Sequence, residues 1–150
     1  MSRKAVLDQL QELNSSNPVY FGAKPSKSNI KIWNGFIIGP DDTPYCGGCF
    51  KIRIEFLDEY PLVPPEFYFE TPIYHPNICS NGAVCSPYLR ELYTANVSIS
   101  FIFSTILSTL INPNPKDPMT DRTEMAREFI ERRSEFDRKA REMTIQHAYE

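Results

Sequence analysis

Proline placement limits the fold of this chain more than any other feature. All 13 prolines lie between Pro18 and Pro118. Proline breaks a helix interior because its ring fixes φ and removes the backbone N–H donor. Long helices are therefore expected at the two ends, while the proline-rich middle favours strands and turns. Near the start, one apolar stripe at helical spacing predicts an N-terminal helix, carried by Val6, Leu10 and Leu13.

An alternating hydrophobic pattern in the middle predicts a sheet with one wet face. Across residues 50–56, apolar and charged residues alternate with a period of two, which is typical of an antiparallel strand. The preceding stretch, residues 39–44, has the proline and aspartate content of a turn. The predicted strands cover residues 30–38, 50–56 and 66–69, in a meander of three or four strands.

Helical periodicity returns in the last third of the chain. Residues 99–111 carry the best-marked helix, behind a candidate N-cap at Ser98. Residues 116–150 mix 8 basic and 9 acidic side chains with spaced apolar ones, which predicts amphipathic surface helices. A capping box from Ser134 to Asp137 predicts a helix restart there. The order of elements indicates one α+β domain over residues 1–150.

Charge and cysteine content exclude several classes of function. With 16 Lys+Arg against 19 Asp+Glu, the net charge of −3 offers no basic footprint for nucleic acid. The first residues reach a charge before any apolar signal core, and the longest apolar stretch, residues 99–111, is too short and too hydroxylated for a membrane span. Four cysteines without a signal sequence favour a reducing compartment, the cytoplasm or nucleus.

Cys46-Gly-Gly-Cys49 has the spacing of a zinc half-site or a redox dithiol. A structural zinc site needs a second ligand pair, and Cys79 and Cys85 stand too far apart in sequence for the usual spacing. A thioredoxin-like dithiol would open a helix after a strand, whereas this motif lies in a turn that leads into a strand. We therefore expect two small, partly buried thiols and no metal, with a zinc or redox protein as the alternative.

The irregular stretch over residues 71–93 is long enough to suggest function. It contains His75-Pro76-Asn77, with Cys85 ten residues after the histidine and Asn81-Gly82 between them. With the motifs around it, the chain resembles the ubiquitin-conjugating enzyme family over essentially all 150 residues. The supporting motifs are Gly39-Pro40, Pro44-Tyr45, Gly47-Gly48, Tyr60-Pro61, Pro64-Pro65 and Asn112-Pro113-Asn114-Pro115. The family's α+β (UBC) fold has an N-terminal helix, a four-stranded antiparallel meander, a central helix and two C-terminal helices, the order indicated by periodicity.

The resemblance implies an acyl relay. Cys85 would accept the C-terminal glycine of ubiquitin as a thioester from the activating enzyme and pass it to a lysine or to a ligase cysteine. The implied partners are ubiquitin, the activating enzyme, and RING-type or cysteine-relay ligases. No cofactor is implied, since the activating enzyme uses the ATP. Another ubiquitin-like modifier as cargo stays an alternative; a catalytically silent variant would lack the cysteine.

Two polar residues of the motif have implied roles beside the thioester. In the family, the residue matching Asn77 donates to the oxyanion of the tetrahedral intermediate, and holding the loop backbone is its alternative role. The family treats the residue matching His75, next to Pro76, as a structural hydrogen-bonding group, and a general base is the alternative.

Of the two acidic residues expected near the thioester in lysine-reactive members, this sequence has one. Asp117 occupies the position of an acidic residue that orients the incoming amine in lysine-reactive members, and a turn residue is its alternative role. Cys85 is followed by Ser86-Pro87, where lysine-reactive members usually have Leu-Asp. The hypothesis is a weakened intrinsic reactivity toward lysine, with the acceptor preference left open.

Partner surfaces follow from the same resemblance. Lys4 matches a position used toward the activating enzyme, and Arg90 a basic position that contacts ubiquitin. Two loops match those that meet ligases; their residues are Pro61, Leu62, Tyr93, Thr94 and Ala95. Leu62, Tyr93 and Ala95 depart from the commonest family residues, which implies a narrower or shifted set of ligases.

Overall fold

The structure is a computed structural model that describes residues 1–149. The fold has four α helices and one four-stranded sheet. The elements are α1 (Arg3–Ser16), β1 (Phe21–Pro25), β2 (Ile32–Ile38), β3 (Cys49–Glu55), β4 (Glu66–Phe69), α2 (Ile99–Ile111), α3 (Thr123–Glu131) and α4 (Arg133–Ala148). The α+β class and the family's element order are confirmed. None of the helices in residues 1–149 has the length and apolar character to cross a bilayer.

The sheet is a simple antiparallel meander in the order β1-β2-β3-β4. Inward residues face each other across it, as where Trp33 pairs with Ile54 and Ile54 with Phe67. The predicted strands are confirmed with shifted ends: the second strand begins at Ile32, because Ile32 is the first residue that pairs with β3. The sheet thus has one dry face and one wet face.

Helix α2 packs on the dry face. The ring of Phe103 stacks on Phe21 of β1 at 4.7 Å between centroids and meets Phe67 of β4 edge-on at 5.3 Å. Ser98 caps the helix as predicted, since its hydroxyl accepts from the N–H of Phe101 at 3.0 Å. The central helix therefore runs through the core and carries the loops at both its ends.

The C-terminal helices α3 and α4 form a pair beside the irregular segment. Phe136 of α4 contacts Phe129 of α3 at 5.0 Å and Tyr74 at 5.2 Å between ring centroids. The predicted helix restart near Ser134 is confirmed, but the predicted capping box is wrong. Helix α4 starts at Arg133 behind Arg132, without a side-chain cap, because the break after α3 is a single residue and backbone bonds bridge it.

Candidate active site

A short hairpin carries Cys85 against the His75-Pro76-Asn77 motif. Ile78 and Val84 form a bridge, and the N–H of Cys85 donates to the carbonyl of Asn77 at 3.0 Å. The hairpin turns at Gly82, whose φ of +91° and close approach to the Phe69 carbonyl leave no room for a Cβ. The cysteine and the motif are therefore neighbours through backbone pairing.

His75 is fully buried and both of its ring nitrogens are used. Nδ1 accepts from the N–H of Asn77 at 3.0 Å, so Nε2 carries the proton that it donates to the carbonyl of Thr109 in α2 at 2.8 Å. Burial lowers the pKa of this ring to about 4. The ring is neutral at physiological pH and has no free nitrogen with which to take a proton from a thiol.

Asn77 joins the motif to the loop over residues 112–118. Its amide nitrogen donates to the carbonyls of Asn114 at 2.9 Å and Asp117 at 3.1 Å, and its side-chain oxygen accepts from the N–H of Asn114 at 2.9 Å. The neighbouring carbonyl of Pro76 accepts from the N–H of Met119 at 2.9 Å. Every polar atom of the Asn77 side chain is therefore occupied by the loop that carries Asp117.

The Cys85 sulfur lies half-buried among charged groups. Nη2 of Arg90 donates to Sγ at 3.0 Å. Partial burial raises the pKa of the Cys85 thiol, Arg90 lowers it, and the carboxylates of Asp117 and Glu91 raise it. The thiol stays above its ordinary pKa. A half-buried sulfur thus contacts one cation, and two carboxylates lie near enough to oppose its ionisation.

Pro87 opens the turn that brings Arg90 to the sulfur. The 3₁₀ turn Pro87–Leu89 is capped by the Ser86 hydroxyl, which accepts from the N–H of Tyr88 at 3.3 Å, and the N–H of Arg90 donates to the Pro87 carbonyl at 3.1 Å. The residues that stand in place of Leu-Asp thus shape the chain immediately after Cys85.

Comparison with known proteins identifies the family of this site. Residues 5–144 match the family model described as ubiquitin-conjugating enzyme. The chain belongs to the ubiquitin-conjugating enzyme family. It is 41% identical over 128 residues to an Arabidopsis thaliana protein named "Probable ubiquitin-conjugating enzyme E2 31", covering 85% of this chain and 82% of that protein.

A solved structure agrees with the sequence match. The E2 domain of a Toxoplasma gondii ubiquitin-conjugating enzyme superposes with a TM-score of 0.88 at 33% identity, covering 97% of this chain and 98% of that chain. This chain is a ubiquitin-conjugating enzyme, which works with ubiquitin, an activating enzyme and ligases. The alternatives of another modifier and of a zinc or redox protein are not favoured.

The two loops expected to meet ligases lie side by side in this conjugating enzyme. The hydroxyl of Tyr93 donates to the carbonyl of Pro61 at 2.8 Å. Leu62, with 83% of its surface exposed, projects from the first loop, and Thr94 and Ala95 are exposed on the second. Lys4 is exposed on α1 and pairs with Asp8 at 2.8 Å. The structure thus joins the two loops and keeps Lys4 on a separate element.

The turn that holds Cys46 and Cys49 contains free thiols. Cys49 is exposed, so the prediction of two partly buried thiols is wrong for it. The reason is that β3 begins at Cys49 with its side chain on the wet face, opposite Ile38. No group of three or more metal-ligating side chains occurs within residues 1–149.

Sequence reasoning missed two sets of contacts at the site of this enzyme. One is the bond from Arg90 to Cys85, which the Ser-Pro start of a tight turn could have suggested. The other is Asp121, whose carboxylate accepts from the N–H of Ser80 at 3.0 Å and from its hydroxyl at 2.7 Å. The partners in this second set are 41 residues apart, and no periodic pattern marks such a pair.

Proposed function

We propose that this enzyme carries ubiquitin as a thioester on Cys85. The observation that carries the proposal is the half-buried Sγ, which accepts a hydrogen bond from Arg90 and lies close enough to Asp117 for that carboxylate to raise the pKa of the thiol. In loading, the Cys85 thiolate attacks the carbonyl carbon of the ubiquitin C-terminal glycine. The bond to the sulfur of the activating enzyme breaks, and that sulfur leaves as a thiolate.

Discharge reverses the roles of the sulfur atoms. An incoming amine or ligase thiolate attacks the same carbonyl, and Cys85 leaves as a thiolate; an attacking amine also gives up a proton, which passes to water or to the departing sulfur. The Asp117 carboxylate orients the amine and accepts a hydrogen bond from it. Asn77 supports both steps by holding the loop of Asp117, and it donates to the tetrahedral oxyanion when one of its two loop bonds is exchanged.

A loading assay tests the assignment of Cys85. Activating enzyme, ATP and ubiquitin are mixed with the full chain, and products are read on a non-reducing gel. We expect a reductant-labile adduct that Cys85→Ser converts to a durable oxyester or abolishes. Cys46→Ala, Cys49→Ala and Cys79→Ala should each leave it intact. Loss of the adduct with one of these controls, or its persistence as a labile thioester in Cys85→Ser, would contradict the proposal.

The loaded enzyme is proposed to transfer ubiquitin slowly to free lysine. Pro87 stands where lysine-reactive family members usually carry an acid, so Asp117 acts without that second carboxylate. We expect the loaded enzyme to discharge to free cysteine faster than to free lysine, and Pro87→Asp to raise the lysine rate. Lysine discharge as fast as that of Leu-Asp members would reject this proposal.

Partners are assigned to the exposed surfaces. The loops of Pro61 and Leu62 and of Tyr93, Thr94 and Ala95 are proposed to meet RING-type or cysteine-relay ligases, and Lys4 to meet the activating enzyme. The free thiols favour work in the cytoplasm or nucleus. Leu62→Ala should impair ligase-stimulated discharge alone, because it alters no contact at Cys85; equal loss of loading would contradict the assignment.

A further inference from the structure

We propose that Arg90 is a further catalytic residue: its guanidinium holds the Cys85 sulfur as the nucleophile, releases it when the thioester forms, and receives it again as the leaving group. The inference rests on the proposed function, in which Cys85 carries ubiquitin. It differs from a role in binding ubiquitin, because the partner of Arg90 is the reacting atom of the enzyme itself.

Backbone hydrogen bonds fix the chain at Arg90. The Arg90 N–H donates to the Pro87 carbonyl at 3.1 Å, and the Arg90 carbonyl accepts from the N–H of Tyr93 at 3.2 Å. The N–H of Leu92 closes the same turn on the Pro87 carbonyl at 2.9 Å. The Arg90 backbone is therefore fixed on both sides, and from this position Nη2 donates to Sγ at 3.0 Å.

The Arg90 guanidinium offsets the nearby groups that disfavour the Cys85 thiolate. Glu91 from the same turn and Asp117 from the loop over residues 112–118 both disfavour a thiolate, as does partial burial. On the hairpin side lies the neutral thiol of Cys79. Arg90 is the group that favours the thiolate against these effects. A charge-assisted hydrogen bond is stronger than a neutral one, so the contact gains strength when Cys85 loses its proton.

Acylation of Cys85 weakens the hydrogen bond from Arg90 to the sulfur. A thioester sulfur carries no negative charge and is a weak acceptor, so the guanidinium loses its partner when ubiquitin is loaded. Glu91, whose carboxylate lies 3.9 Å from Nε, is ready to hold Arg90 in that state. On discharge the sulfur becomes a thiolate again and regains the guanidinium. The arrangement predicts that Arg90 accelerates the formation and the breakage of the thioester.

Alkylation of Cys85 by iodoacetamide tests the contact without ubiquitin. The thiolate displaces iodide and forms a sulfur–carbon bond, so the rate follows the thiolate fraction. The rate is followed against pH on the full chain by mass spectrometry of the Cys85 peptide. We expect Arg90→Gln to move the profile to higher pH and slow alkylation near neutrality by a factor of about 1.5 to 5, the range for a partly exposed charge pair. Arg90→Lys should restore part of the rate, and Lys116→Gln, which removes an exposed cation next to Asp117, should leave it unchanged.

Single-turnover loading from the activating enzyme gives the second readout. We expect Arg90→Gln to slow loading by a factor similar to that for alkylation. Slower loading with an unchanged alkylation profile would mean that Arg90 only contacts ubiquitin, and would overturn the proposal. A shifted profile in an enzyme that loads on another cysteine would leave the contact standing and refute Cys85 as the carrier. The two proposals therefore fail separately.

Discussion

At the scale of single residues, His75 ties the stability of the fold to pH. Burial lowers the pKa of its ring to about 4 from the ordinary 6.5, so the unfolded chain binds a proton in this interval that the folded chain does not. The contribution of His75 is therefore complete above pH 6.5 and is lost as the pH falls toward 4. We expect urea unfolding to show a loss of about 2 kcal/mol from this group by about pH 5.

Two variants isolate the group responsible. His75→Asn should flatten the slope between about pH 5 and 6.5, because an amide does not titrate there. His147→Gln replaces the exposed histidine of α4 and should keep the slope. An unfolding free energy in the unchanged protein that stays constant across this interval would contradict the buried neutral ring.

The residue scale also shows what sequence can and cannot predict about the site. The spacing of the His-Pro-Asn motif and Cys85 located the loop, because backbone pairing brings Asn77 to Cys85. The hydrogen-bond partners of the Asn77 side chain cannot be predicted from the sequence, because they lie 37 and 40 residues away on another loop. The resemblance predicts that Arg90 contacts ubiquitin, and it does not predict the bond from Arg90 to the Cys85 sulfur.

At the scale of elements, Asn77 is the joint between two loops. Asn77→Ala removes three hydrogen bonds in a nearly dry place and leaves the Asn114 N–H without its partner. We expect the free energy of unfolding to fall by about 2–4 kcal/mol and the Asn114 amide to exchange hydrogen faster. Asn81→Ala is the matched control, because its side chain accepts from the single N–H of Ala83 on the surface. Equal hydrogen exchange at the Asn114 amide in both variants would contradict the role of Asn77 in holding the two loops together.

Tyr93 joins the two ligase loops by one atom. Tyr93→Phe keeps the ring and removes the hydroxyl that donates to Pro61. We expect a loss of about 1 kcal/mol in unfolding free energy and weaker stimulation of discharge by a ligase, with ligase-independent discharge unchanged. Tyr20→Phe, at an exposed tyrosine, should leave both unchanged. Full ligase stimulation in Tyr93→Phe would show that the bond does not shape the docking surface.

Two serines with cap signatures, of which one caps a helix, show where element ends can be predicted from sequence. Helix α2 begins and ends at the expected residues, because Ser98 bonds the N–H of Phe101 and five inward residues of α2 are buried. Ser134 has the same signature but lies inside the first turn of α4, since the break after α3 is set by Arg132. A cap motif predicts a helix start only where the preceding chain is free to leave the helical path.

At the scale of the whole molecule, one buried carboxylate connects the C-terminal helices to the site. Glu128 of α3 accepts from the Tyr74 hydroxyl at 2.5 Å and pairs with Lys139 of α4 at 2.7 Å. Tyr74 precedes His75, and its own carbonyl accepts from the hydroxyl of Tyr45 at 2.6 Å. Sequence does not single out Glu128, which is one of nine acidic residues over 116–150. Its burial is decided by packing.

The two ends of this ion pair should respond unequally to substitution. The Glu128 side chain is 5% exposed and that of Lys139 is 41% exposed. Lys139→Met strands a charged carboxylate in the interior, whereas Glu128→Gln leaves an ammonium that can turn to water. We expect urea unfolding near neutral pH to show a loss of about 3 kcal/mol for Lys139→Met and about 1 kcal/mol for Glu128→Gln.

The pH dependence of the larger loss identifies its cause. In the unchanged protein Lys139 helps to hold the pKa of Glu128 down against burial, so we expect its removal to raise that pKa and to let the folded variant take up a proton at a higher pH than the unchanged protein. The penalty of Lys139→Met relative to the unchanged protein should therefore shrink as the pH falls toward about 5. Glu142→Gln breaks an exposed pair with Arg138 and should change stability by less than about 1 kcal/mol at either pH. Equal penalties for Lys139→Met and Glu128→Gln, independent of pH, would mean that water reaches Glu128 and that the C-terminal helices are held to the site by apolar contacts such as Tyr74 with Phe136.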